Sequence, residues 1–170
     1  MYGRREKHAR PIRKEGISME ARTLEEDRWD DILHLYQLSD RDFVLPFSKR
    51  ETSAEEMMTG VFSSGEYIGF LKNGKIIACG GYRKFGDAQA EIHGIVVHPH
   101  YRGSGLGRKI TDTIVSRVQS KDARKVEVST WEGSIGIRIF HSIGFREVER
   151  FEDPKKRPEG VRTVRMILEL

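Results

Sequence analysis

The chain has 170 residues, 37% of them apolar and 33% charged, which suits one compact domain with its own core and is too short for two. Its longest apolar runs, such as 76–79, fall far below the ~20 residues that cross a bilayer. A single cysteine, Cys79, excludes an intrachain disulfide, and with no apolar leader before a cleavage site the expected compartment is the cytoplasm.

The formal charge of +4 is concentrated at one end, where Arg4, Arg5, Lys7, Arg10, Arg13 and Lys14 oppose only Glu6 and Glu15. The remainder is neutral, so composition does not make the chain a nucleic-acid binder. Residues 1–16 read as a disordered basic arm ahead of a single domain over 17–170.

Residues 17–22 are β-prone, and Thr23-Leu24-Glu25-Glu26 then reads as a capping box, predicting a helix whose apolar stripe is Trp29, Ile32, Leu33 and Tyr36. Ser53-Ala54-Glu55-Glu56 repeats the pattern and predicts a second helix over 53–63. The segment between, 40–52, holds Phe43, Leu45, Pro46 and Phe47 and is either a core plug or part of a binding wall. Strands at 66–71 and 75–83 are joined by Asn73-Gly74, the pair that suits a type I′ hairpin turn. A third strand, 90–97, leads through a glycine-rich turn into a helix carrying Leu106, Ile110, Ile114 and Val118. A strand at 125–131 follows, then an apolar helix at 134–142, expected to be mostly buried and stopped by Gly144. Strands near 146–151 and 161–170 flank a charged turn at 153–160. The order β-α-α-β-β-β-α-β-α-β-β predicts an α/β (α+β) fold with a mixed, mostly antiparallel central sheet of about seven strands and helices on both faces.

Gly103, Gly105 and Gly107 alternate at the entrance of the third helix, leaving unpaired N–H groups at a helix N-terminus, with Arg102, Arg108 and Lys109 adding positive charge. That is an anion cradle suited to phosphate or pyrophosphate. It is not a Walker A loop, because Gly107 is followed by Arg108-Lys109-Ile110. Nor is it a dinucleotide fingerprint, since the third glycine comes one residue early, behind an antiparallel hairpin. A glycine-rich turn with no ligand is the alternative.

The segment 90–108 resembles the acetyl-CoA-binding motif of the GCN5-related N-acetyltransferase (GNAT) superfamily, with Arg102, Gly105 and Gly107 meeting its pattern Q/R-x-x-G-x-G/A. The run 137–145, ending in Gly144-Phe145, is similar to that family's later helix, and the element order fits over 17–170. The resemblance implies an N-acetyltransferase that moves an acetyl group from acetyl-CoA to a primary amine of a small molecule or protein by direct transfer. Acetyl-CoA would lie between splayed strands 90–97 and 125–131, its pantetheine arm along Ile95, Val96 and Val97 and its pyrophosphate on Arg102, Gly103, Ser104, Gly105, Leu106, Gly107 and Arg108. A backbone N–H near Val96 or Val97 would stabilise the oxyanion.

An attacking amine must lose a proton. Glu91 stands where some members carry a glutamate base, and His93, on the same face of a regular strand, serves directly or through water. Two positions depart from the pattern. Phe140 replaces a tyrosine that commonly protonates the leaving thiolate, and Gly133 replaces an asparagine, with Ser134 beside it as a substitute cofactor contact. His141, Ser142 and Ser134 are fallback acids, and the missing tyrosine leaves open a catalytically silent acyl-CoA sensor. No metal site is expected from His93, His98, His100 and Cys79, which lack ligand spacing, and Cys79 reads as a buried filler. The loop 40–52 and the turn 153–160 would wall the acceptor pocket, where Lys155, Lys156 and Arg157 favour an acidic acceptor unless merely solvated. A homodimer is left open.

Overall fold

The computed structural model describes residues 20–170; the basic segment 1–16 and residues 17–19, at the head of the first expected strand, lie outside them. The elements are β1 (Ala21–Leu24), α1 (Trp29–Ser39), α2 (Ala54–Ser64), β2 (Gly65–Lys72), β3 (Lys75–Phe85), β4 (Gln89–Val97), α3 (Leu106–Gln119), β5 (Lys125–Trp131), α4 (Ile135–Ile143), β6 (Arg146–Glu152) and β7 (Arg162–Glu169). They follow the predicted order. The seven strands form one sheet, β1-β2-β3-β4-β5-β7-β6, in which β4 and β5 are the parallel pair and every other pair is antiparallel.

Alternation along the strands divides the core in two. Ile92, Val126, Val128 and Met166 pack under α3 and α4 with Ile110, Ile114 and Phe145. On the opposite face Tyr67, Cys79 and Val96 pack under α1 and α2 with Ile32, Leu35, Tyr36 and Met58. Each such aliphatic side chain contributes roughly 1.5–3 kcal/mol of burial. β3 lies between β2 and β4, where a Cβ on Gly80 would come within 2.7 Å of Ile110 and one on Gly81 within 2.7 Å of Val61, so helices press on both its faces.

Local chemistry accounts for several boundaries. Ser53 Oγ accepts the Glu56 N–H (3.1 Å) and Glu56 Oε2 accepts the Ser53 N–H (2.8 Å), the reciprocal cap that starts α2. Asn73 and Gly74 take φ of 51° and 76°, as a type I′ turn requires.

Two expectations need correction. Thr23 does not cap α1: it lies in β1 opposite Ile68, and the helix is entered through a 3-10 turn, Glu26–Arg28, whose first residues have no side-chain cap. Pairing of β1 with β2 buries Leu24 over Gly69 and outweighs a local cap. Nor is α4 mostly buried. Phe140 alone is fully covered, and Ile135 is 76% exposed, because α4 flanks α3 at the margin of its layer and turns only one stripe inward.

Candidate active site

The parallel pairing of β4 with β5 runs from Gln89↔Lys125 to Ile92↔Val128 and ends there, while β4 stays on β3 through Val96↔Cys79 and Val97↔Ala78. The two strands therefore splay beyond Ile92. Gly94 is the cause, with φ +57° opposite a register shift on β3. Across this bulge the side chains change sides. Ile92 faces the α3/α4 core, Val96 faces the α1/α2 core, and Ile95 and Val97 pack back toward α3 and α4. The buried hydroxyl of Tyr36 donates to the Gly94 carbonyl at 2.5 Å, and a Cβ on Gly94 would fall 2.1 Å from that oxygen.

The His98 N–H donates to the Ile77 carbonyl at 2.8 Å, so alternation turns the Val97 N–H and C=O toward the opening. Arg102 Nε takes that carbonyl at 3.1 Å. The segment 95–97 thus offers the opening a strand edge on which Val97 carries the outward N–H, the kind of surface that an amide-bearing chain such as pantetheine pairs with.

At the end of this edge Gly105, φ +83°, is the N-cap residue of α3 and carries no side-chain cap. The first bond closing the helix runs from Lys109 N–H to Gly105 C=O at 3.1 Å, so the amides of Leu106, Gly107 and Arg108 precede any intrahelical acceptor. A Cβ on Gly103 or Gly105 would meet nothing within 4 Å, so the space above the turn is open. Leu106 anchors the turn in the core, and the Ser104 hydroxyl bonds back to the Tyr101 carbonyl. Gly107 faces Ile139 of α4. The free amides, the positive end of the helix dipole and the room above them fit a pyrophosphate. The guanidinium of Arg102 is directed elsewhere, to Asp42 (2.7 Å) and Ser39 (3.3 Å), where it holds the Asp42 carboxyl below its usual range. Arg108 reaches Ser142 Oγ at 3.0 Å and Asp112 at 3.5 Å.

Glu91 and His93 share the face turned toward α1 and α2, with His93 Nε2 3.1 Å from Glu91 Oε2. His93 is the first β4 residue beyond the last pair with β5. The angle between the two groups falls short of a hydrogen bond, leaving the buried Nε2 without an acceptor among the described residues. The adjacent imidazole, then the charges of Lys156 and Arg83, outweigh burial and hold the Glu91 carboxyl below its ordinary value. Glu127, opposite Glu91 on β5, is engaged by Arg165 at 2.6 Å.

Where the resemblance places a tyrosine, Phe140 is buried against Phe145, ring centroids 5.6 Å apart. Ser134 Oγ caps α4 by accepting the Gly136 N–H at 3.0 Å. Ser142 donates to Ile139 O (2.7 Å), and His141 Nδ1 lies 3.1 Å from Phe145 O. Each fallback acid therefore has a local partner. Burial pushes the Cys79 thiol up to about 12, which keeps it protonated and unreactive.

Sequence reasoning named neither Tyr36, Gly94, Trp131 nor Arg50 as functional. Phe43 packs edge-on against Phe47 (5.0 Å) and against Trp131 at the end of β5 (6.4 Å), and Phe47 against Tyr36 (5.5 Å). Asp40 fixes this loop by accepting from the Phe47 N–H and the Ser48 hydroxyl, both at 2.7 Å. Arg50 stacks 4.1 Å over Phe47, Arg157 lies 5.9 Å over Trp131, and Lys155 meets Glu51 at 3.6 Å. Loop 40–52 and turn 153–160 therefore close over the same end of the sheet. The aromatic density of 40–52 was the available signal.

Residues 29–145 match the Acetyltransferase (GNAT) family. Over 102 residues the chain is 29% identical to a Bacillus subtilis (strain 168) protein provisionally named ribosomal protein bS18-alanine N-acetyltransferase; the match covers 59% of this chain and 64% of that protein. Among solved structures, the ribosomal-protein-S18-alanine N-acetyltransferase of Escherichia coli superposes with a TM-score of 0.73 at 18% identity, covering 89% of this chain and 93% of that one. So does yncA of Salmonella typhimurium, provisionally named an acetyltransferase and solved with its cofactor acetyl-CoA, at TM-score 0.73 and 18% identity over 89% and 94% of the two chains. Splayed strands, glycine cradle and family match agree: the chain belongs to the GNAT acetyltransferase family.

Proposed function

We propose that the protein moves an acetyl group from acetyl-CoA to a primary α-amino group by direct attack, with Glu91 as the base. The observation that carries this reading is the adjacency of two features on one strand: the Glu91–His93 pair and the splay of β4 from β5 that begins at His93. When bound, acetyl-CoA supplies the thioester carbonyl and a thiol leaving group. The amides of Leu106, Gly107 and Arg108 would hold its pyrophosphate, and the backbone edge of Ile95–Val97 its pantetheine arm. Gly103 and Gly105 leave room for that approach, with Ser104 pinning the turn and Arg102 bracing it against α1.

The incoming amine is mostly protonated at pH 7, with a reference pKa of about 7.7–8.0 for an α-amino group. The Glu91 carboxylate accepts that proton, directly or through the imidazole of His93, whose Nε2 lies 3.1 Å from Glu91 Oε2. The Val97 N–H is a fixed donor at the opening, where negative charge develops on the carbonyl oxygen. No side chain need protonate the leaving group, since a thiol of reference pKa ~8.5 departs readily as thiolate. Phe140 is compatible with that route.

The names carried by the Bacillus subtilis and Escherichia coli proteins support an α-amino group, a protein N-terminus such as that of bS18 included, as the acceptor. The test follows free thiol while the protein is offered acetyl-CoA with amino-terminal peptides, free amino acids and alkyl amines. Thiol release with an α-amine is expected. A protein that binds acetyl-CoA and releases thiol with none of them is instead an acyl-CoA sensor, the reading that the absent tyrosine permits.

A further inference from the structure

We propose that Arg50 and Arg157 form a carboxylate-binding subsite that selects acceptor amines carrying an acidic group close to the nitrogen. The proposal rests on the acetyl-transfer reading for the identity of the acceptor, and on the following geometry for the subsite itself.

Several arginines elsewhere in the domain find carboxylates: Arg102 with Asp42 at 2.7 Å, Arg162 with Glu132 at 3.0 Å, Arg165 with Glu127 at 2.6 Å. Among the described residues Arg50 and Arg157 do not, although both are drawn from solvent. Arg157 is 6% exposed, its Nη1 spent on the Lys156 carbonyl (2.9 Å) and its Nε buried with no acceptor among the described residues. Arg50 gives Nε to the Leu45 carbonyl at 2.6 Å and is stacked on Phe47 and Phe43. The two guanidiniums feel each other's charge, and burial together with that repulsion pulls Arg50 down to about 10. The acidic groups within electrostatic reach do not pair with them. Asp40 has both carboxylate oxygens committed to Phe47 and Ser48, and Asp153 acts on Arg157 through its charge without an ion pair.

Two like charges brought together among aromatic rings destabilise the fold unless an anion offsets them. Guanidinium forks match the planar carboxylate, which accepts paired N–H donors. The subsite also lies over the reaction centre: Trp131, beneath Arg157, ends β5 at the open side of the sheet, and the charge of the adjoining Lys156 is felt at Glu91. A carboxylate held there leaves an amine of the same small molecule, or of the same terminal residue, near the base. Two sources share this chemistry, the α-carboxylate of a free amino acid and the side chain of an N-terminal aspartate or glutamate.

Product analogues separate the subsite from the chemistry. Calorimetry on the CoA-bound protein would compare N-acetylalanine, N-acetylaspartate α-amide and N-acetylalanine amide. At least one acid is expected to bind roughly 10- to 100-fold tighter than the neutral amide, the span of a charge-assisted pair. N-acetylalanine as the tighter ligand identifies free amino acids, and N-acetylaspartate α-amide identifies acidic N-termini. Arg157→Gln and Arg50→Gln should each abolish most of the difference, with Arg157→Lys keeping part of it. Arg50, the less buried of the two, guards against a folding defect at Arg157, and an unchanged thermal midpoint qualifies each variant. Acids and amide that bind wild type equally would overturn the subsite whatever the turnover shows. A preference for acids in a protein that releases thiol with no amine would keep the subsite and discard acetyl transfer.

Discussion

The hydroxyl of Tyr36 in α1 donates to the carbonyl of Gly94 in β4 at 2.5 Å, and so braces from behind the one residue whose left-handed backbone opens the sheet. Tyr36 is buried, which raises its own ionisation well above the usual phenol value and keeps it a donor at every working pH. Removing the hydroxyl in Tyr36→Phe leaves the Gly94 carbonyl without this donor, a loss of about 1–3 kcal/mol in urea denaturation. Gly94→Ala should cost more, since it combines a φ of +57° with a methyl group 2.1 Å from the Tyr36 oxygen. The double variant should recover part of the Gly94→Ala loss, because it removes the nearest clashing atom. Strictly additive losses would mean that the two residues act independently.

Gly105→Glu tests the cradle. The site tolerates a side chain sterically, with nothing within 4 Å of the added Cβ, so the cost to folding is confined to the φ of +83°, about 1 kcal/mol. The carboxylate, however, occupies the space over the amides of α3 and opposes an anion there. Acetyl-CoA binding by calorimetry should be lost in a protein that still unfolds cooperatively. Unchanged affinity would remove the pyrophosphate assignment.

Glu91→Gln should lower kcat by ~10²–10⁴ with little change in acetyl-CoA affinity. The pH dependence has a definite sign. Because His93 and nearby cations lower the Glu91 carboxyl, the base is in its working form above the ordinary glutamate range, and activity falls on the acid side only as pH drops through that lowered value. The same group contributes stability that is complete above its unfolded-state pKa and is lost over the same acid window. An acid limb and turnover in Glu91→Gln matching wild type would transfer the role to His93, and His93→Gln would then carry the loss.

What could be read along the chain was what short stretches settle by themselves. Asn73-Gly74 needs only its own backbone to make a turn, Ser53 and Glu56 cap each other, and Gly105 announces itself by standing before an amphipathic helix. Thr23 had an equally good local pattern and failed, since β1 pairs with a strand that begins only at Gly65. The bulge at Gly94 was illegible for the same reason: the tyrosine that braces it stands on another element. Arg50 and Arg157 meet across two loops distant in sequence, and nothing in either segment signals that both lack a carboxylate. Composition also overstated the burial of α4, because an apolar helix at the margin of a layer has fewer neighbours than its side chains could cover.

Phe140→Tyr adds one oxygen to a ring packed against Phe145. If the leaving thiolate needs no acid, kcat should stay unchanged or rise modestly, with stability reduced by up to about 1–3 kcal/mol if the new hydroxyl finds no partner. Rapid-quench and thermal melts measure the two effects separately. Restoration of turnover in a wild type inert toward every amine would mark Phe140 as an inactivating replacement. Loss of activity with acetyl-CoA still bound would mean that the ring touches the reacting groups.

Among the described residues, four paired positions, Gln89↔Lys125 through Ile92↔Val128, with the bonds of Arg124 and Lys125 N–H to the Ala88 carbonyl at their head, stitch β1–β4 to β5–β7 within the sheet. Past that seam, the ladder lacks a rung-bearing neighbour on each side, and an extended donor lying between the strands would act as a surrogate strand. Cofactor binding would then be a suture as well as a catalytic requirement: it ties two half-sheets that otherwise depend on helices for their cohesion. Amide hydrogen exchange should register this as slowed exchange concentrated in the distal halves of β4 and β5, with a melting temperature that climbs with acetyl-CoA concentration.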